Sequence, residues 1–314
     1  MFPARLARPS GPRSYCGGMT DRWPDPPPLF DLEDAAPAKA PEPRLQSQPA
    51  GDGLFDFDAL TAAETSDAVP VDPTGAPSDE QATGDGGLFD LVAVFDLETT
   101  GVNVERDRVV TAYVGLIDSS GTVLRAEHWL ADPGVPIPEG AAAVHGITTE
   151  KARAEGRDAR EVVAEIVGAL RGLLSEGIPL VAYNASYDLS LLRHEAARHG
   201  VEPLDDPRPV VDPFVIDKAL DRYRKGKRTL DLVAAHYGVA LDDAHEASAD
   251  AIAAGRVAIA IAARFADDLG DSLDAIHDQQ VAWAREQAES LTDYFHRIGK
   301  IPADETIDGT WPVR

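Results

Sequence analysis

The sequence is poor in cysteine, in long apolar runs and in basic residues. Its single cysteine, Cys16, excludes an internal disulfide and a cysteine-based zinc cage, so a reducing cytoplasm is the expected compartment. No run of 18 apolar residues occurs, and no membrane-spanning helix is therefore expected. The formal net charge of −25 argues against non-specific coating of DNA or of an anionic membrane.

The first 90 residues differ in composition from the rest of the chain. Between residues 19 and 91, acidic residues outnumber basic ones by 16 to 3, and Pro, Ala, Asp and Gly are abundant. Such a segment buries too little apolar surface to offset its ordering entropy, so residues 1–90 are predicted to be disordered. The basic start lacks the apolar stretch of a secretory signal. Either it is a flexible arm or translation begins at Met19.

From Val92 onward the pattern predicts strands and helices in alternation. Short apolar runs bounded by turn residues predict strands at 92–97, 108–118, 122–130 and 178–184, with one more brief strand before Pro213. Apolar residues at helical spacing predict helices at 157–177, 186–199, 229–237, 246–265 and 272–299, and another that Pro213 opens. A three-stranded meander followed by helices and strands predicts an α/β sandwich with a mixed sheet.

Two carboxylates lie two residues apart in the stretch VFDLETTG at 94–101. In a strand, residues i and i+2 point to the same side, so Asp96 and Glu98 would project together. Two like charges side by side are unfavourable unless a cation or a proton lies between them. Either the strand ends at Phe95 and both carboxylates are solvated in a loop, or they bind a divalent metal, since Mg²⁺ and Mn²⁺ prefer carboxylate oxygens.

A metal site needs more ligands than one strand supplies, and three further residues are candidates. Asp188 lies at the start of a predicted helix, while His245 and Asp250 lie in the stretch DAHEASADA. Taken singly, each has a structural interpretation: a carboxylate near a helix N-terminus, a loop histidine and a solvent-facing helix residue. The residues alone leave both interpretations open.

The combination of these stretches resembles a known family. VFDLETTG, NASYDLSLL and HEASAD, in this order and at these separations, resemble the DEDDh (DnaQ-like) 3′–5′ exonucleases, which include the proofreading subunit of bacterial DNA polymerase III. The resemblance covers residues 92–265 and extends to AVHGITTEKA and RTLDLVAAHYGV. This chain departs from the family pattern at Tyr183, where many members have His, and at Tyr187, which replaces a common Phe.

The resemblance implies both a fold and a domain organisation. The fold is an RNase H-like α/β fold with a mixed five-stranded sheet flanked by helices. The expected domains are a disordered acidic region at 1–90, the exonuclease domain at 91–266, and a C-terminal helical extension at 267–314.

The resemblance also implies the catalytic residues. Asp96, Glu98, Asp188 and Asp250 would hold two divalent ions, Mg²⁺ or Mn²⁺, which stabilise the attacking and leaving oxygens of a phosphodiester displacement. His245 would be the general base, a role that suits a group with an unperturbed pKa near 6.5. The two ions would then explain why the carboxylates of this sequence are crowded.

Substrate contacts are predicted in two places. By the same resemblance, a pocket for the 3′-terminal nucleotide would be lined by Thr99, Asn184, Val144, His145 and Gly146, although His145 has an equally plausible structural role. A basic stretch at 222–228 either follows the nucleic-acid backbone or is a solvated loop. Its candidate contacts are Arg224, Lys225, Lys227 and Arg228.

The expected function is metal-dependent removal of nucleoside 5′-monophosphates from the 3′ ends of single-stranded or frayed DNA, in proofreading or repair. The alternatives are an RNA-trimming 3′–5′ exoribonuclease and a catalytically inactive, polymerase-associated module that binds nucleic acid. A DNA polymerase or a sliding clamp is a candidate partner. The Leu-Phe-Asp segments at Phe30, Phe55 and Phe89 are either docking motifs for a clamp or chance apolar residues.

Overall fold

A six-stranded mixed sheet lies at the centre of the computed structural model, which describes residues 87–241 and 246–314. The strands are β1 Leu91–Thr99, β2 Val109–Asp118, β3 Val123–Asp132, β4 Arg157–Asp158, β5 Leu180–Val181 and β6 Val210–Val211. The sheet order is β4-β3-β2-β1-β5-β6. Strands β1, β2 and β3 form the antiparallel meander, whereas β5 runs parallel to β1 and β6 parallel to β5.

The prediction of a mixed α/β sheet is confirmed, but the predicted number of five strands is wrong by one. The additional strand, β4, has two residues and pairs in parallel with the end of β3. Its residues, Arg157 and Asp158, are charged and exposed, so β4 lacks the short apolar run by which β5 and β6 are recognised in the sequence. The three Leu-Phe-Asp segments and the predicted disordered region fall mainly outside the described residues.

Eight helices follow or cover these strands in the described part of the chain. They are α1 Glu139–His145, α2 Thr149–Glu155, α3 Ala159–Ser175, α4 Ala185–His199, α5 Pro213–Leu220, α6 Leu230–His236, α7 Ala247–Arg264 and α8 Leu273–Ile298. The predicted helices at 157–177, 186–199, 229–237, 246–265 and 272–299 agree with α3, α4, α6, α7 and α8 to within two residues at each end. No helix of the described residues is long and apolar enough to cross a membrane.

Strand β1 is covered on both faces, as its apolar sequence predicts. Ala93, Phe95 and Leu97 belong to a buried cluster that includes α3 and α4, whereas Val92 and Val94 belong to a second cluster that includes α7. Because side chains alternate along a strand, the residues that follow Val94 at even positions point toward the α7 side. This alternation puts the Asp96 and Glu98 side chains on the face that α7 covers.

Helix α7 packs closely on this face because Gly255 has no side chain. A Cβ atom at position 255 would overlap the Val94 side chain and lie 2.6 Å from Cδ1 of Ile117. Real Cβ atoms do not approach neighbours so closely, so any larger residue would push α7 away from the sheet. The close approach keeps the N-terminal turn of α7 near the end of β1.

The C-terminal helix α8 packs against the edge of the sheet and against α5. Ile276, Leu291 and Phe295 are buried, and α8 belongs to the same compact unit as the sheet. The division into an exonuclease domain at 91–266 and an extension at 267–314 stays a prediction. Among the three Leu-Phe-Asp segments, only the last is described, and its Phe89 packs against the core cluster of α7.

Candidate active site

The end of strand β1 supplies the first two carboxylates of the site. Asp96 and Glu98 both belong to the strand and are paired with β2, so the alternative in which the strand ends at Phe95 is wrong. Burial raises the pKa of Asp96 well above its usual value, and the carboxylates of Asp188, Glu98 and Asp250 raise it further. Burial, with the nearby Asp250, raises the pKa of Glu98 to about 7.

Helix α4 supplies the third carboxylate. Asp188 lies in the first turn of α4 and is 3% exposed. Its Oδ1 accepts a hydrogen bond of 3.2 Å from the backbone amide of Leu97, which joins the start of α4 to the middle of the acidic stretch of β1. Burial is the main cause that raises the pKa of Asp188, and hydrogen bonds from its own amide and that of Leu97 act in the opposite direction.

The fourth carboxylate comes from helix α7. Asp250 lies in the first turn of α7, and its charge raises the pKa values of both Asp96 and Glu98. Three separate segments therefore bring carboxylates close enough to repel one another. The predicted general base, His245, lies outside the described residues.

The chemistry of this donor set fits a hard divalent cation. Carboxylate oxygens are the ligands that Mg²⁺ and Mn²⁺ prefer, and carboxylates that raise one another's pKa are stabilised by a cation among them. In the described part of the chain, however, no three His, Cys, Asp or Glu side chains meet in an arrangement ready to hold a metal ion. The side chains of the four carboxylates would therefore have to change conformation to bind the same metal ion.

A hydroxyl cluster lies beside the carboxylates, on the α4 side of β1. The hydroxyl of Tyr187 is 2.6 Å from Oγ1 of Thr99 and donates a 2.6 Å hydrogen bond to the carbonyl of Gly101. Thr99 also donates to the Gly101 carbonyl, at 2.8 Å. A phenylalanine at position 187, the common residue of the family, would lack these bonds. The tyrosine of this chain therefore adds a link between α4 and the turn that follows β1.

Of the other pocket residues predicted from the sequence, Asn184 is the N-cap of α4, and the remaining three lie at the end of helix α1. The helix ends at His145, and Gly146 caps it with a φ of 74°, a left-handed conformation that favours glycine. Nδ1 of His145 accepts from the Ile147 amide at 3.2 Å. Burial lowers the pKa of His145, and an interaction with the Thr99 backbone partly offsets this effect. Val144 is 53% exposed, as a residue that contacts a ligand can be.

The predicted basic contacts divide into two groups. Arg228 is 7% exposed and pairs with the fully buried Asp217, and Arg224 also pairs with Asp217, at 2.6 Å. Lys225 and Lys227 are exposed. The geometry therefore favours a structural role for the two arginines, whereas the two lysines remain candidates for contact with a nucleic-acid backbone.

Sequence reasoning missed two buried polar residues near the site, Asp212 and Gln280. Asp212 accepts hydrogen bonds from the amides of Asn184 and Ala185, at 2.9 Å each, and Gln280 accepts from the amide of Asp212 at 2.6 Å. The Asp-Pro pair at 212–213 signals a helix start, but nothing in the sequence indicates that its carboxylate also holds another helix.

Comparison with known proteins identifies the family. The profile of the exonuclease family RNase_T matches residues 93–258, which include most of β1, all of α4 and most of α7. The chain belongs to this exonuclease family, and the resemblance noted in the sequence is confirmed.

Two curated relatives are DNA polymerase III proteins. The PolC-type DNA polymerase III of Lacticaseibacillus paracasei is 27% identical in an alignment of 238 residues that covers 68% of this chain and 16% of the relative. A DNA polymerase III subunit epsilon-like protein of Rhodobacter capsulatus is 31% identical over 164 residues, 51% of this chain and 22% of the relative. The matched region is thus a small part of each relative's length.

A solved structure is also similar. The crystal structure of E. coli exonuclease I in complex with a dA16 oligonucleotide matches 65% of this chain and 45% of that chain, with 20% sequence identity and a TM-score of 0.49.

Proposed function

We propose that this chain is a metal-dependent 3′–5′ exonuclease that removes nucleoside 5′-monophosphates from single-stranded or frayed DNA ends. The observation that carries the proposal is the mutual repulsion of Asp96, Glu98, Asp188 and Asp250, contributed by three segments of a chain of the exonuclease family. Buried carboxylates that repel one another lower the stability of the fold, so a function that uses their combined charge is the natural explanation.

The four carboxylates would hold two divalent ions, Mg²⁺ or Mn²⁺. When bound, such a pair of ions supplies charge stabilisation for the attacking and the leaving oxygen of the phosphodiester. His245 would accept the proton of the attacking water. In the sequence it lies two residues before the start of α7, the helix that carries Asp250.

The substrate end would lie between the turn after β1 and the end of α1. Thr99 and Asn184 would contact the terminal nucleotide from the sheet side, and Val144, His145 and Gly146 from the α1 side. Lys225 and Lys227 would contact phosphates further along the strand, where their charge contributes to a salt-dependent affinity. An enzyme that grips only a few nucleotides needs few such contacts, which agrees with the acidic net charge of the chain.

The test uses DNA and RNA oligonucleotides of the same sequence, each labelled at its 5′ end, with Mg²⁺, Mn²⁺ or EDTA. We expect a ladder of labelled DNA strands shortened from the 3′ end one nucleotide at a time, and no cleavage in EDTA. Faster shortening of the RNA would make the chain an exoribonuclease, and binding without cleavage would indicate an inactive module.

The general base has its own test. His245→Ala should lower kcat by about 100-fold or more, as the loss of a positioned proton acceptor does, while Mn²⁺ binding stays close to that of the wild type. An unchanged kcat in this variant would remove His245 from the mechanism.

A replication partner is part of the proposal. The relatives named above are DNA polymerase III proteins, so a polymerase or a sliding clamp is the first partner to test. Because Phe89 packs against the core, a clamp-binding test should change Phe30 and Phe55 to Ala and leave Phe89 intact. Loss of clamp retention in this double variant supports docking, and unchanged retention contradicts it.

A further inference from the structure

Asp212 lies where two elements of the site region meet. It follows β6, and as the N-cap of α5 its Oδ1 accepts a 3.0 Å hydrogen bond from the Phe214 amide. The residue is 1% exposed. A buried carboxylate must have its hydrogen-bonding capacity filled, and Asp212 makes more bonds than a helix cap requires.

The additional bonds hold the start of helix α4. Oδ1 of Asp212 accepts from the Asn184 amide and Oδ2 from the Ala185 amide, each at 2.9 Å. The first amides of a helix have no partner within it, so these bonds fix the helix start in place. Asn184 has a φ of 60°, an uncommon conformation for a residue with a side chain, and it persists only where its surroundings hold it.

The C-terminal segment holds Asp212 in turn. The Gln280 side chain of α8 accepts from the Asp212 amide at 2.6 Å and donates to the Val210 carbonyl at 3.0 Å, and it is fully buried. Nε1 of Trp311 donates to Oδ2 of Asp212 at 3.4 Å, and the tryptophan is 6% exposed.

The last residue of the described chain also contacts α4 directly. The backbone amide of Arg314 donates to Oγ of Ser190 at 2.9 Å, and its guanidinium donates to Oγ of Ser186 at 3.1 Å. Ser186 and Ser190 flank Asp188 on the same helix. These contacts come from a segment that lies beyond residues 93–258, the region that the family profile matches.

We propose that Asp212 is a positioning residue which, braced by Gln280 and Trp311 of the C-terminal segment, sets the place of the Asp188 carboxylate. The segment from α8 to Arg314 is thereby part of the active-site framework. This inference rests on the proposed function in so far as Asp188 is taken to hold a divalent ion. Asp188 is only three residues beyond Ala185, so a shift of the helix start moves its carboxylate relative to Asp96 and Glu98.

The test compares Asp212→Asn and Trp311→Phe in the full chain. Asparagine keeps one acceptor oxygen and loses the other. Phenylalanine stays aromatic but lacks the N–H donor and is smaller than the indole, so a control must make the same loss of volume. The matched control is Trp129→Phe. Trp129 is another buried tryptophan, on β3, and its indole N–H donates a 2.9 Å hydrogen bond to Glu165, which the variant loses. The measurements are hydrogen exchange of the Asn184 and Ala185 amides, Mn²⁺ affinity by calorimetry, and kcat and KM on an oligonucleotide.

In Asp212→Asn, we expect the Asn184 and Ala185 amides to exchange hydrogen faster than in the wild type. We also expect Mn²⁺ to bind about 10-fold more weakly, which is the smaller end of the effect of removing a residue that supports a metal ligand. The kcat of this variant should fall while KM stays the same. Trp311→Phe should show the same changes to a smaller degree, and it serves where Asp212→Asn does not fold. Wild-type exchange and Mn²⁺ affinity in both variants would overturn the inference. If the wild type neither binds Mn²⁺ nor cleaves the oligonucleotide, the proposed function is wrong. Unchanged hydrogen exchange of the Asn184 and Ala185 amides in the variants would instead refute the positioning role of Asp212.

Discussion

The sharpest consequence of the carboxylate cluster is that Glu98→Gln should stabilise the metal-free protein at high pH. Burial and the charge of Asp250 raise the pKa of Glu98 from 4.5 to about 7 in the folded state. The folded state therefore binds the Glu98 proton more tightly than the unfolded state does. This stabilises the fold fully below about pH 4.5, and the stabilisation is lost as the pH rises through 7.

The size of the effect follows from the shift. A change from 4.5 to about 7 corresponds to about 3 kcal/mol at most. Because the side chain is partly exposed, solvent screening reduces this to about 1–2 kcal/mol. For a domain of this size that is a difference of about 3–6 °C in the melting temperature. Glutamine keeps the shape and removes the charge, so the variant should melt higher than the wild type at pH 8, and the difference should be much smaller at pH 5.

The assay is thermal unfolding in EDTA from pH 5 to pH 8.5, repeated with saturating Mg²⁺. A ligand that binds only the folded state stabilises it in proportion to the logarithm of its concentration over its Kd. Mg²⁺ should therefore raise the melting temperature of the wild type more than that of Glu98→Gln. The difference in melting temperature between the two proteins should become smaller or change sign. Glu289→Gln, at an exposed site on α8, is the control and should follow the wild type throughout. Parallel curves for wild type and Glu98→Gln in EDTA would refute the reasoning.

Three further predictions concern packing and the site. Gly255→Ala should lower the free energy of unfolding by about 1–3 kcal/mol, because its Cβ overlaps Val94. Gly168→Ala, at an exposed position of α3 with open space around it, should raise the free energy of unfolding by about 0.5–1 kcal/mol, and chemical denaturation that ranks the two variants the other way would contradict the packing of α7. Arg228→Ala should lower the free energy of unfolding by about 3 kcal/mol, because it removes an ion-pair partner of buried Asp217. Lys225→Ala should leave the stability unchanged and raise KM, so equal stability of the two variants would argue against the structural role of Arg228. Tyr187→Phe should lower kcat/KM by about 10-fold, because it removes the hydroxyl that bonds to Thr99 and Gly101 in the turn after β1. Tyr223→Phe, at an exposed site, is the control, and identical kinetics in both variants would show that the hydroxyl cluster has no part in catalysis.

The elements that the sequence predicts well are those with strong periodicity. The alternation in VFDLETTG predicts that Asp96 and Glu98 share a face of β1, and the two core clusters on either side of that strand agree with it. Asp188 and Asp250 are found in the first turns of the helices where the sequence predicts them. These features are local, so neighbouring residues carry their signal.

The features that the sequence does not reveal depend on contacts between distant segments. The bonds from Asp212 to Asn184 and from Gln280 to Asp212 join residues 28 and 68 positions apart. The basic stretch at 222–228 looks solvated in the sequence, yet Arg228 is buried because Asp217, one helix earlier, offers a fully buried carboxylate. A buried charge is stable only with such a partner, and pairing of this kind has no periodic signature.

The central claim is that the four carboxylates form one site for divalent cations, and direct titration of the metal-free protein with Mn²⁺ in a calorimeter tests it. The account predicts two ions per chain for the wild type and the loss of at least one in Asp96→Asn and in Asp188→Asn, with Glu289→Gln unchanged. Wild-type binding in both active-site variants, or no binding by the wild type, would contradict it.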